Sequence, residues 1–251
     1  MAVHRASARL AGQLRVTAFA VSGLCIVTIC WLGSAKADQE TAAHDAHAVD
    51  SVPPDASLKM LQDGNARFVA GKPEHPHQDA LRRDSVAGGQ KPFAIVLACA
   101  DSRVAPELVF DAGLGDLFVV RVAGNIADDA VLASVEYAVD HLGATLIVVV
   151  GHDRCGAVTA TVEAVQRPSP APGHLGALID AIKPAVVAQS PGEKLLERAI
   201  DANVQNVVMK ISADTDLEPS IKAGKVKVVG GRYDLGSGQF VLLKPFAAGK
   251  P

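Results

Sequence analysis

Two short segments concentrate the residues able to do chemistry. Cys99-Ala100-Asp101-Ser102-Arg103 sets a thiol, a carboxylate and a guanidinium side by side. Gly151-His152-Asp153-Arg154-Cys155-Gly156 sets an imidazole three residues before a second thiol. Two thiolates and an imidazole are borderline-soft donors suited to tetrahedral Zn²⁺. Three protein ligands leave a fourth position open, as catalytic zinc sites do, and such an ion generates hydroxide from water near neutral pH. Asp101 reads in two ways. It is a conditional fourth ligand that closes the site, or an acceptor for a hydrogen bond from water on the metal, with Arg103 holding it in a charge-assisted pair. The alternatives are a plain Cys99–Cys155 disulfide, with His152 incidental, and an ordinary surface ion pair between Asp101 and Arg103. Residue types and spacing leave both open and name no substrate.

Other familiar sites are absent from the sequence. Gly113-Leu114-Gly115 begins like a dinucleotide fingerprint but lacks the third glycine and opens a strand. There is no phosphate-binding G-x-x-x-x-G-K-[ST] loop and no G-x-S-x-G nucleophile elbow.

The elements that must position these residues follow from hydropathy. Short apolar runs at 93–98, 116–122 and 145–150 predict strands, with weaker ones at 226–229 and 239–243. Helical patterns fall at about 105–110, 129–142, 155–166 and 192–210, and an earlier one at 56–70 carries Leu58, Leu61, Phe68 and Val69, with Gly71 placed to stop it. Strands alternating with helices predict an α/β fold, a central mostly parallel sheet flanked by helices. The first and third strands run straight into the two chemical segments. If those strands are neighbours, Cys99, His152 and Cys155 converge at the carboxyl end of the sheet, where open α/β sheets bind ligands. Cys155 also falls at a helix start, which favours its thiolate. His75-Pro76-His77 reads as a surface loop, and Gly151 and Gly156 as points of close backbone approach.

The 251 residues carry a net charge of −3 and a pI near 6.2, without the basic excess of a nucleic-acid binder. The ends differ, however. Residues 1–37 hold Arg5, Arg9, Arg15 and Lys36, no acid, and an uncharged run from Val16 to Leu32, ending in Ala35-Lys36-Ala37. A basic start, apolar middle and small-residue exit describe a signal peptide, so a periplasmic or secreted protein is expected, membrane-anchored only if the segment stays uncleaved. Without it 20 basic residues face 27 acids, and Cys99 and Cys155 are the cysteines left of four. Residues 38–54 read as a disordered linker in which His44 and His47 are solvated. Residues 55–251 read as one domain.

Three motifs in register resemble the β-class carbonic anhydrase family: Cys99-Ala-Asp101-Ser102-Arg103-Val104, Arg121-Val-Ala-Gly124-Asn125, and Gly151-His152-x-x-Cys155-Gly156-Ala157. The resemblance runs from about residue 55, through Gly64-Asn65-x-Arg67-Phe68, to Tyr233-Asp234-Leu235 and Leu243. It implies reversible hydration of CO₂ to bicarbonate and a proton by zinc-bound hydroxide, or in relatives of the fold hydrolysis of CS₂ or COS. It implies Cys99, His152 and Cys155 as zinc ligands, and Asp101 with Arg103 as the catalytic dyad that orients hydroxide and gates the site. It also implies a homodimer or higher homo-oligomer, with residues 55–90 as a helical arm. Ala112 departs from the pattern, since many bacterial members carry a Gln there that some use as a polar contact to the substrate. Gly124 and Asn125 read as a tight turn, and His141 and His174 as a helix-end and a loop histidine.

Overall fold

The computed structural model describes residues 51–244. The expected signal segment, most of the linker with His44 and His47, and the last seven residues lie outside the described residues.

Helix α1 (Pro54–Val69) opens the described chain, with Pro54 at its first position, where a missing N–H costs nothing. It therefore starts inside the stretch expected as linker. A short α2 (Ala80–Val86) follows, capped by Asp79 on the Arg82 amide. The alternating part then runs β1 (Ala94–Ala98), α3 (Pro106–Val109), β2 (Leu117–Arg121), a 3₁₀ turn (Ala123–Asn125), α4 (Asp129–Asp140), β3 (Leu146–His152) and α5 (Gly156–Gln166). After it come α6 (Leu175–Val187), α7 (Leu195–Ser212), α8 (Glu218–Lys222), β4 (Lys227–Tyr233) and β5 (Phe240–Leu242).

The five strands form one sheet in the order β2-β1-β3-β4-β5, parallel except for the β4–β5 pair. Every residue of β1 and β3 is buried, because helices cover both faces. Ile95, Leu97, Ile147 and Val149 face α4 and α7. Ala94, Val96, Ala98, Leu146, Val148 and Val150 face α1 and α3 on the other side. Two-residue alternation thus splits each strand between two cores. Among the described residues no helix is long and apolar enough to cross a membrane.

Helix α6 goes unpredicted for a physical reason. Pro184 sits inside it and removes one backbone donor, so the sequence there reads as broken. Burial of Ile182, Ala185 and Val186 holds it helical all the same.

Buried Asn65 bolts α1 to the sheet. Its Nδ2 donates to the carbonyls of Val109 (3.0 Å) and Gly238 (2.9 Å), and its Oδ1 accepts from the Phe240 amide (2.9 Å). A Cβ on the preceding Gly64 would lie 1.9 Å from the Phe110 carbonyl oxygen, so helix and loop meet backbone to backbone. Asn65→Ala strands one buried and two half-buried backbone groups. It should cost about 2–3 kcal/mol, read as a lower urea midpoint at constant slope; an unchanged midpoint would show that water replaces the carboxamide.

Candidate metal centre

β1 and β3 lie side by side, and the chain leaves them in opposite directions along the sheet, toward β2 and toward β4. A crevice therefore opens past their carboxyl ends. Cys99 is the first residue beyond β1, and His152 is the last of β3. Asp153 and Arg154 make the bend that follows, Arg154 with a left-handed φ of 53°, and Cys155 then caps the N-terminus of α5.

The three side chains meet. Their donor atoms all lie within 4.8 Å of one another, and the residues are buried. The Cys99 and Cys155 sulfurs are 4.0 Å apart and both thiols are free, against about 2.05 Å in a disulfide. His152 is fully buried, with its Nδ1 2.9 Å from the Asp153 carbonyl oxygen. That carbonyl can only accept, so Nδ1 carries the proton and Nε2 presents a lone pair. Nε2 is buried without a hydrogen-bond partner. A buried nitrogen is not left orphaned without a reason, and a cation shared with two thiolates supplies one. The donor set fits zinc.

The electrostatics agree. The Cys99 thiol is lowered to about 4, chiefly by the hydrogen bond from Cys155, helped by neighbouring His152 and then the Gly124 amide, and opposed by burial. The Cys155 thiol is pushed up, because it supplies that proton and is itself buried. One thiol is pushed down and its neighbour up, the pattern of two sulfurs close enough to bind one cation together.

Asp101 is gripped by Arg103 through two side-chain hydrogen bonds, Nε to Oδ1 (2.9 Å) and a terminal nitrogen to Oδ2 (2.7 Å), and by the Arg103 amide (3.0 Å). This holds its carboxyl well below the usual carboxylate range. Its Oδ2 lies 3.9 Å from His152 Nε2, outside the three-donor group. Arg121 donates to the carbonyls of Cys99 (3.0 Å) and Asp101 (2.6 Å) and so fixes the loop that carries both. From spacing alone Arg121 is only a strand end. The Gly124 amide donates to Cys99 Sγ (3.3 Å), and Asn203 of α7 holds the Gly124 carbonyl (2.8 Å). Asn203 belongs to no motif, and its role is invisible in sequence.

A Cβ on Gly151 would stand 2.4 Å from Val204, so close approach explains that glycine. Gly156 is a correction: a Cβ there meets nothing within 4 Å, and its neighbours demand no glycine. Ala112 is buried and lines a cavity of about 250 Å³ with Met60, Arg67, His77 and Phe110, to which none of the three donors contributes. His141 caps the end of α4 and stacks near Tyr137, and His174 precedes α6.

A family model described as carbonic anhydrase matches residues 94–240, which contain all three donors. The chain belongs to the β-class carbonic anhydrase family. Carbonic anhydrase 2 of Mycobacterium tuberculosis (strain ATCC 25618 / H37Rv) is 42% identical over 191 residues, covering 75% of this chain and 92% of that protein. Among solved structures, a Coccomyxa β-carbonic anhydrase in complex with acetazolamide is 27% identical with a TM-score of 0.58, covering 74% of this chain and 84% of that one. One of the tetrameric β-carbonic anhydrases of Sordaria macrospora is 25% identical with a TM-score of 0.58, covering 74% and 95%. The stretch matched by the family model thus contains strands β1 to β4 as well as the donor-bearing segments.

The lowered Cys99 thiol predicts one thiolate per chain in the metal-free carbonic anhydrase at neutral pH, protonating only near pH 4. Ultraviolet thiolate absorbance should show it and Cys99→Ser should abolish it. A signal that first rises in the ordinary thiol range would contradict the lowered Cys99 thiol.

Proposed function

We propose that this carbonic anhydrase hydrates CO₂ reversibly to bicarbonate and a proton, with zinc held by Cys99, His152 and Cys155. The observation that carries the reading is the buried, unpartnered Nε2 of His152 beside two free cysteine sulfurs 4.0 Å apart. Zinc bound there supplies hydroxide near neutral pH, because it lowers the pKa of a bound water to roughly 7.

The chain's own residues do the rest. Two thiolates neutralise the dication, and the Asp153 carbonyl fixes the ring orientation and tautomer of His152. Asp101 stays ionised in the fork of Arg103, so it accepts hydrogen bonds and donates none. An acceptor at that place orients an attacking oxygen by holding its proton, leaving a lone pair for carbon. Arg103 holds the carboxylate on its own side, away from the donors. Ile126, Val158 and Ile182 pack into one cluster with both cysteines, which gives the centre an apolar wall suited to an uncharged linear substrate.

The Sordaria enzymes are described as tetrameric, which supports a homodimer or larger assembly here. The basic start and uncharged run of residues 1–37 support export to the periplasm or medium.

Stopped-flow measurement on zinc-loaded protein should show rapid CO₂ hydration. Asp101→Ala should keep its zinc and lose roughly a hundredfold in kcat, while Cys155→Ser should lose the metal itself. A zinc-loaded chain that leaves CO₂ untouched, or turns over only COS or CS₂, would overturn the assignment.

A further inference from the structure

Cys99 is not served by the metal alone. On one side its sulfur faces Cys155. On another the Gly124 amide donates to it at 3.3 Å. Gly124 sits in the turn after β2 at φ +70°, and a Cβ there would come within 2.6 Å of Ile182 Cδ1 and 3.1 Å of Ala157 Cβ. Only glycine fits, and glycine brings the freedom to swing the peptides on either side of it. Backbone hydrogen bonds from the Val122 amide to Ala98 (3.1 Å) and from the Asn125 amide to Val122 (2.9 Å) hold the ends of the turn. A side chain from outside the turn must hold its middle.

Asn203 does so. It lies in α7 with 3% of its surface exposed, beside buried Ala199, Ile200, Ala202, Val204 and Val207. Its Nδ2 donates to the Gly124 carbonyl at 2.8 Å, across 79 residues of sequence. That bond fixes the peptide after Gly124. With the carbonyl side of Gly124 tied to α7, the turn is held where its N–H reaches Cys99 Sγ.

We propose that Asn203 is a positioning residue for the metal centre, holding the Gly124 turn so that its amide stays on the Cys99 thiolate and sets how much charge that sulfur donates to the ion. The proposal rests on the zinc reading above. An N–H aimed at a thiolate stabilises its negative charge, so the sulfur donates less to the ion and the ion stays a stronger Lewis acid. A role confined to satisfying one buried carbonyl would change stability and leave the electronic state of the sulfur alone.

Cobalt substitution separates the two. Sulfur-to-cobalt charge-transfer absorption reports the energy of the thiolate lone pair directly. Asn203→Leu keeps the volume and removes the donor, whereas Val207→Ala opens a cavity on the same helix without touching the turn. In Co²⁺-loaded protein, Asn203→Leu should move the band to longer wavelength, because a thiolate relieved of its N–H donates more to the ion. Val207→Ala should melt earlier with the band in place. An Asn203→Leu band that matches the wild type, at whatever melting temperature, would overturn the proposal. The wild-type chain gives a second reading that needs no variant. Loaded with ¹¹³Cd²⁺, it should show scalar coupling between the Gly124 amide proton and the metal through Cys99 Sγ, and its absence would likewise overturn the proposal. Failure of the wild-type chain to take up cobalt or cadmium at all would instead reject the zinc reading on which it stands.

Discussion

The parting of the chain between β1 and β3 is the constraint from which the site follows. Because β1 leads outward to β2 and β3 leads the other way to β4, a crevice opens past the carboxyl ends of the two central strands, closed on one side by the Gly124 turn of the β2–β3 connection. Whatever stands first past those ends faces its counterpart across the crevice. Here those residues are Cys99 on one side and His152 with Cys155 on the other. Two parallel strands in fixed register thus bring together donors that lie more than fifty residues apart, with the apolar faces of β1 and β3 supplying the burial that keeps them there. Mass-produced stability becomes local geometry.

Bringing two thiols and an imidazole into a dry crevice is unfavourable unless their charges and lone pairs are met. The structure meets them in layers. The two sulfurs face each other at 4.0 Å, the Gly124 amide takes a lone pair of Cys99, and the Asp153 carbonyl takes the Nδ1 proton. What remains on the donor group is the unpartnered Nε2 of His152, on the side where a cation would sit. Arg103 draws Asp101 aside in a planar two-point grip, and Arg121 ties the backbone of the same loop at two carbonyls. The loop after β1 is thereby fixed at its backbone and at its functional side chain independently. That separation holds the Asp101 carboxylate in place independently of the backbone that carries Cys99.

Much of this is legible in sequence, and the pattern of misses is physical. The apolar runs that become β1 and β3 stand out because both faces of those strands are buried, so no polar residue interrupts them. Cys99, Asp101, Arg103, His152 and Cys155 stand out because they crowd the ends of those runs. Helix α6 is hidden by Pro184, which its packing overrides, and α2 and α8 are too short to carry a period. The antiparallel turn of β5 depends on Asn65 and the tight bend at Asp234, which no hydropathy pattern encodes. Gly156 resembles Gly151 in sequence, yet only Gly151 has a side chain, Val204, pressing on it. Asn203 is the clearest limit. A polar residue within an apolar helix face announces burial of a hydrogen bond, but its partner across the fold is given only by the packing of α7 against the turn.

X-ray absorption at the zinc edge tests the centre most directly. Zinc-loaded protein should show two sulfur neighbours at about 2.3 Å and one imidazole nitrogen at about 2.0 Å, with one further light atom completing four-coordination. A zinc without sulfur neighbours, or a protein whose two thiols have left the metal for each other, would contradict the account.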